Sequence, residues 1–339
     1  EFPSGYFADR VGYRRSLLVG ALVQAVGWIV YARGESFGAI VAAEVVLGAG
    51  SAFISGADRA LLWVSLAEDG RGHQYTRWEG RVRAMAQTSE ALSAAAGGWL
   101  YSRAPRLPLW LQVPVACAVV GMVGALREAA PVRLAPHTSH LARALELVRF
   151  TLWHHRRLKA AMALNVVLGL ATFVMVWLIQ PSMQARGIAP AWFGPLWAGA
   201  HLWLAGVSLA SGRLAAAFGV RATLLGCCLL VPLGYAGLAA TASAWGDVFY
   251  LCFMTLRGLQ GPILARVMQE DAPAADRASV LSLATLLFRL AFVFAGPPVG
   301  VLVDHAGMPV ALVVLAAAFT AAALATFTAF ARAHADRVD

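Results

Sequence analysis

Four charged side chains stand inside stretches that are otherwise apolar: Glu44 within 36–57, Glu90 within 84–102, Arg257 within 248–265 and Arg289 within 278–303. A charge near the centre of a bilayer costs at least a few kcal/mol, so each needs an opposite partner or a water-filled cavity. The acids lie in the first half of the chain and the arginines in the second, which predicts pairing between the halves. A carboxyl in such a stretch is a candidate proton carrier. Burial raises a carboxyl pKa and a neighbouring guanidinium lowers it, so alternating between the two surroundings loads and releases a proton. His201, alone in the stretch 187–212, reads first as a packed or hydrogen-bonded ring. The four cysteines lie in apolar stretches without CxxC spacing and read as small hydrophobes, so no metal site is expected. No HExxH, GxSxG or GxxxxGK[ST] string occurs, which argues against an enzyme and against an ATP-driven pump.

The stretches holding these charges have the length and composition of membrane spans. Of the 339 residues, 60% are apolar and 13% charged, against roughly 45–50% and 25% in an ordinary soluble protein. Six further windows carry no charge: 16–32, 107–126, 160–185, 187–212, 222–246 and 305–331. Each is long enough, or nearly so, to cross about 30 Å of hydrocarbon as a helix. Ten spans are therefore predicted, and an even number places both ends on one side. Counting alternate connections, 21 basic residues fall on one side and 4 on the other. The positive-inside rule then makes both ends cytoplasmic. The net charge of +9 thus records topology, and no nucleic-acid partner is expected.

The longest connection, 128–158, contains Pro131 and Pro136, and its Leu141, Leu145, Val148 and Leu152 recur at the spacing of a surface amphipathic helix. It divides the chain into a bundle over 1–127 and a bundle over 159–331, followed by a tail over 332–339. The halves also repeat. The segment from Ser4 aligns with that from Ser211, with Gly5/Gly212, Ala8/Ala215, Gly12/Gly219, Arg14/Arg221, Leu17/Leu224 and Gly27/Gly234 identical. Two spans precede the second copy and none precedes the first, so the chain is expected to carry helices three to twelve of a twelve-helix protein.

The stretch Gly5-YFA-Asp9-Arg10-V-Gly12-Y-Arg14-Arg15, just before a span on the basic side, resembles the signature loop of the major facilitator superfamily (MFS) of secondary transporters. Ser55-Gly56-Ala57-Asp58, with Arg59, strengthens the likeness. The resemblance implies an all-α membrane fold of two pseudo-symmetric six-helix bundles that alternate access to a midplane site. It also implies a cytoplasmic gate built on Gly5, Asp9, Arg10, Gly12, Arg14, Asp58 and Arg59, with Asp9 hydrogen-bonded or paired with Arg10, Arg14 or Arg59. Tyr13 stands where the family usually has a basic residue, so Arg14 is expected to substitute. The second copy has Ala216 in place of Asp9, which argues against a symmetrical gate. Arg257-Gly-Leu-Gln260-Gly261 resembles a further pattern of the family, whereas its glycine-proline antiporter signature is absent from the fifth helix.

By the same resemblance Glu44, Asn165, Arg257 and Gln260 face substrate, with Glu90 and Arg289 on flanking helices. The expected protein is a monomeric, multi-pass transporter of a bacterial inner membrane. It needs no cofactor beyond a proton gradient and exports a small amphipathic or apolar compound through the lipid bilayer. The alternatives are a symporter or facilitator for an anionic metabolite, with Arg257 as the anion clamp, and a non-transporting membrane sensor or scaffold.

Overall fold

In a computed structural model of the protein, residues 2–128, 146, 148–189, 192–274 and 276–334 are described. They form twelve α-helices, α1 (Phe2–Val11), α2 (Tyr13–Arg33), α3 (Phe37–Ile54), α4 (Ala57–Glu68), α5 (Tyr75–Arg103), α6 (Leu107–Ala125), α7 (Arg156–Ala185), α8 (Phe193–Phe218), α9 (Val220–Ala240), α10 (Tyr250–Asp271), α11 (Arg277–Ala306) and α12 (Met308–Ala333), with short helical turns at Gly72–Gln74, Phe150–His154 and Ala244–Phe249. No strand occurs among the described residues. Half of the amphipathic helix expected over 141–152, residues 141–145 and 147, falls outside them.

Glycines set several of the breaks. Gly12 ends α1 with φ +117°, and its repeat partner Gly219 ends α8 with φ +81°. Both are left-handed positions that a side chain would strain, and both begin the next helix as its N-cap. The aligned glycines therefore mark the same local structure twice. The span expected over 187–212 is displaced to α8, because α7 runs through Pro181 to Ala185 and the chain then turns at Gly187, φ +75°. Likewise α9 stops at Ala240 instead of continuing to 246. The Arg186 guanidinium, buried with Asp247, donates to the carbonyls of Leu238 (2.6 Å) and Thr241 (3.1 Å), to Ser182 Oγ (2.9 Å) and to Asp247 Oδ1 (2.5 Å). That clamp satisfies carbonyls the helix end leaves unpaired.

Eight stretches are long and apolar enough to cross a membrane, with α3 and α4 counted as one and α10 extended back to Ala244. Ten were expected. The difference lies in α5 and α8, which at 29 and 26 residues have the length but not the hydropathy. Their polar content serves packing: Gly80 of α5 lies against the Ser208 carbonyl and Ser211 Oγ of α8, so close that no side chain fits. Gly212 of α8 lies against the Arg77 backbone. Small residues let helix backbones approach in this way within membranes.

The chain forms two compact units, residues 1–73, 96–151 and 269–286, and residues 74–95, 152–268 and 287–339. In the first, Ala8, Tyr13, Leu17, Ala57, Ala60, Leu61 and Ala278 form a core dominated by alanine. In the second, Tyr235 is fully buried, donates its hydroxyl to the Ala171 carbonyl (2.6 Å) and meets the rings of Phe253 and Phe319.

Candidate functional site

In the first unit, α1 presents Asp9 to the start of α11. One carboxylate oxygen accepts from the backbone N–H of Ala278 (3.0 Å), and the other from the N–H and hydroxyl of Ser279 (2.8 and 2.6 Å). Ala278 and Ser279 lie in the first turn of α11, whose N–H groups have no acceptor within the helix, so Asp9 caps α11 from a remote segment. The positive end of the helix dipole favours the charge. Burial nonetheless pushes the Asp9 carboxyl up to about 6, against the opposing pull of these hydrogen bonds.

The expected arginine partners are engaged elsewhere. Arg10 pairs with the buried Asp276 (3.2 Å) and lies over the Tyr6 ring. Arg14 donates its backbone N–H to Glu128 (3.1 Å) and its guanidinium to the Gly124 carbonyl. The Arg59 backbone donates to Asp58 (2.7 Å). The departure at Tyr13 is resolved locally: its hydroxyl donates to Asp9 (3.1 Å), so Tyr13 itself, not Arg14, takes up the aspartate. Gly5 lies within α1. At the α3–α4 break, the Ser55 carbonyl accepts from Ser282 Oγ of α11 (2.8 Å).

Of the expected pairing of acids with arginines, one electrostatic contact is present, Glu90 with Arg257, and Glu90 has a histidine neighbour besides. Glu90 of α5 lies in the second unit, where its Oε2 is 3.4 Å from Nδ1 of His201 on α8. The contact is long for a hydrogen bond, and no other partner meets either ring nitrogen of this fully buried imidazole. The Trp197 ring stacks at a tilt on His201, 4.8 Å between centroids. Glu90 also interacts electrostatically with Arg257 of α10, whose backbone carbonyl accepts from Arg83 (3.2 Å). Gln260 is buried with its Oε1 unpartnered, near Gly169 of α7. Asn165 is half-buried on α7 and Arg289 exposed on α11. Glu44, exposed on α3 in the first unit, makes no hydrogen bond or ion pair with the described residues.

A cavity of about 470 Å³ in the second unit is walled by α7 and α11, through Val174, Trp177 and Leu178 on one side and Phe292, Val293 and Pro297 on the other. Behind it, Phe173 meets Phe288, Phe292 and Trp177 edge-on, at 5.4, 4.7 and 6.3 Å between centroids. The volume lies in the range of small-molecule sites, and the lining carries no charge. The phenylalanines gave no signal because they meet across more than 110 residues of chain.

An all-α polytopic membrane protein with a capped signature loop thus defines the class. A profile of the Major Facilitator Superfamily matches residues 1–296, and the chain belongs to that family of membrane transporters. Among curated relatives, the "Probable vesicular acetylcholine transporter-B" of Danio rerio and the vesicular acetylcholine transporter of Tetronarce californica are each 29% identical over 120 residues. Those residues are 35% of this chain but only 24% and 23% of the relatives' own lengths. Among solved structures, the human organic anion transporter MFSD10 superposes with a TM-score of 0.73 at 17% identity, covering 96% of this chain and 79% of its own. The E. coli fucose:proton symporter gives 0.71 at 17% identity, covering 98% and 86%. A bacterial homologue of the iron transporter ferroportin gives 0.72 at 16%, with the same coverage. These likenesses establish the fold.

Proposed function

We propose that the protein is a secondary active transporter that exports a small amphipathic or apolar compound in exchange for protons. The observation that carries this reading is the uncharged, aromatic-walled cavity between α7 and α11. Such a lining rewards burial of apolar surface, at roughly 25 cal/mol per Å². Glu44 is the proposed coupling acid: a carboxyl in an apolar helix with no fixed partner among the described residues is free to exchange its proton. Asn165 and Gln260 are the proposed polar contacts of the substrate, and the segment from Gly5 to Arg14, with Asp58 and Arg59, the proposed cytoplasmic gate. The distribution of basic residues supports a multi-pass inner-membrane protein with both ends of this chain cytoplasmic. A second reading, uptake of an anionic metabolite, is favoured by Arg257, whose guanidinium forms no hydrogen bond with the described residues and would clamp an anion.

Purified protein in proteoliposomes, screened against apolar and amphipathic compounds with an internal pH dye, separates these readings. Export coupling gives opposed substrate and proton fluxes, abolished by Glu44→Gln, and Phe292→Ala raises KM about tenfold, roughly 1.4 kcal/mol. Parallel fluxes of an anion and protons, lost in Arg257→Gln, would overturn export in favour of uptake.

A further inference from the structure

We propose that His201 and Glu90 together form a proton-binding site inside the second unit, with His201 as the group that takes the proton. A neutral imidazole presents one N–H donor and one acceptor, and burying either without a partner carries a desolvation penalty. His201 is 1% exposed, its Nε2 has no hydrogen-bond partner, and its Nδ1 has only the long contact to Glu90. A histidine serving only to pack α8 against α5 gains nothing from a buried Nε2 without a partner, because an apolar side chain packs without that penalty. What lies beside the ring explains it: the Glu90 carboxylate, 3.4 Å from Nδ1, with half of its own side chain exposed.

Protonation converts the neutral imidazole to imidazolium. The proton adds to the free ring nitrogen, no other bond breaks, and an ion pair with Glu90 replaces a neutral–anion contact. Loss of the same proton restores the starting state. The exposed edge of Glu90 gives the buried ring a route out of the packed interior through a carboxylate. The other charged and titratable groups at this place are Arg83 on α5, and Tyr250 and Arg257 on α10. Arg257 offsets Glu90, and with Arg83 counted the site carries one net positive charge without the proton and two with it. The Tyr250 hydroxyl, also buried and unpartnered, lies in the electrostatic field of both. The indole of Trp197 covers the ring from α8.

The role of the pair in transport rests on the proton-coupled reading above, whereas proton binding itself can be measured without a substrate. The test is a titration from pH 5 to 9 of the protein in lipid nanodiscs with its eight histidines labelled with ¹⁵N in the ring. The His201 signal is assigned by its loss in His201→Gln. If that variant does not fold, it is assigned by its through-space contacts to the Trp197 indole, 4.8 Å from the ring between centroids. The expected result is a reversible titration of His201 whose midpoint falls by about one pH unit or more in Glu90→Gln, since removing the carboxylate disfavours the imidazolium. A ring that keeps one protonation state throughout, or a midpoint unmoved in Glu90→Gln, overturns the proposal. Transport separates the two readings. Substrate-driven proton flux that persists in both Glu90→Gln and His201→Gln removes this site from the cycle and leaves proton-coupled export standing. A coupled titration in a protein that moves no proton with any compound supports the site and overturns that export.

Discussion

Asp9 holds four hydrogen bonds at the first turn of α11 while buried deeply enough to titrate near 6. Its folded value is raised above the ordinary 3.8, so the folded protein binds more protons than the unfolded chain between the two. By linkage, the stability this residue contributes is fully present below about 3.8 and is lost as pH rises through about 6, a change of about 3 kcal/mol at most. Thermal unfolding in detergent from pH 4.5 to 8 should therefore show a decline toward neutral pH that Asp9→Asn removes. A slope identical in the variant would assign the titration elsewhere. The motif marked Asp9 as a latch residue but paired it with arginines. Its actual partners, Ala278 and Ser279, lie some 270 positions away and offer backbone N–H groups, which no residue type announces. Tyr13 was legible only as a departure from a pattern, and its hydroxyl gives that departure a physical meaning.

The helices α5 and α8 were read as spans from windows of 84–102 and 187–212, yet they occupy Tyr75–Arg103 and Phe193–Phe218. Charge-free windows locate apolar runs; helix ends follow capping, turns and neighbours. At Gly80 the neighbour decides what is tolerated. An alanine there drives its Cβ into the Ser208 carbonyl, whereas Gly97 on the same helix has nothing within 4 Å. Gly80→Ala is expected to cost about 1–3 kcal/mol through overpacking, read as a lower unfolding temperature and faster hydrogen exchange in α5 and α8. Gly97→Ala should be neutral or stabilising by up to about 1 kcal/mol, because alanine only removes backbone freedom there. Equal losses at both positions would show that close approach is not what selects glycine at 80.

Class, helical content and repeat were all legible before any coordinates, because 60% apolar composition and matched glycines constrain the whole chain at once. The two compact units were not: each gathers segments from both halves of the sequence, a consequence of packing that composition does not encode. Orientation remains the most direct whole-chain prediction. In a cysteine-free background, a membrane-impermeant maleimide applied to intact cells should label Ala104→Cys and Ile188→Cys, and label Arg71→Cys and Arg221→Cys only after permeabilisation. The reverse pattern would invert the positive-inside assignment.

The Arg186 clamp has a consequence for how the protein meets its surroundings. A turn whose carbonyls are already gathered by a buried guanidinium offers a protease little extended backbone to bind, although it joins two helices at the molecular surface. Residues 241–249 should resist nicking in the native protein. In Arg186→Ala the same stretch should become a preferred cleavage site, because Asp247 is left buried without its counter-charge.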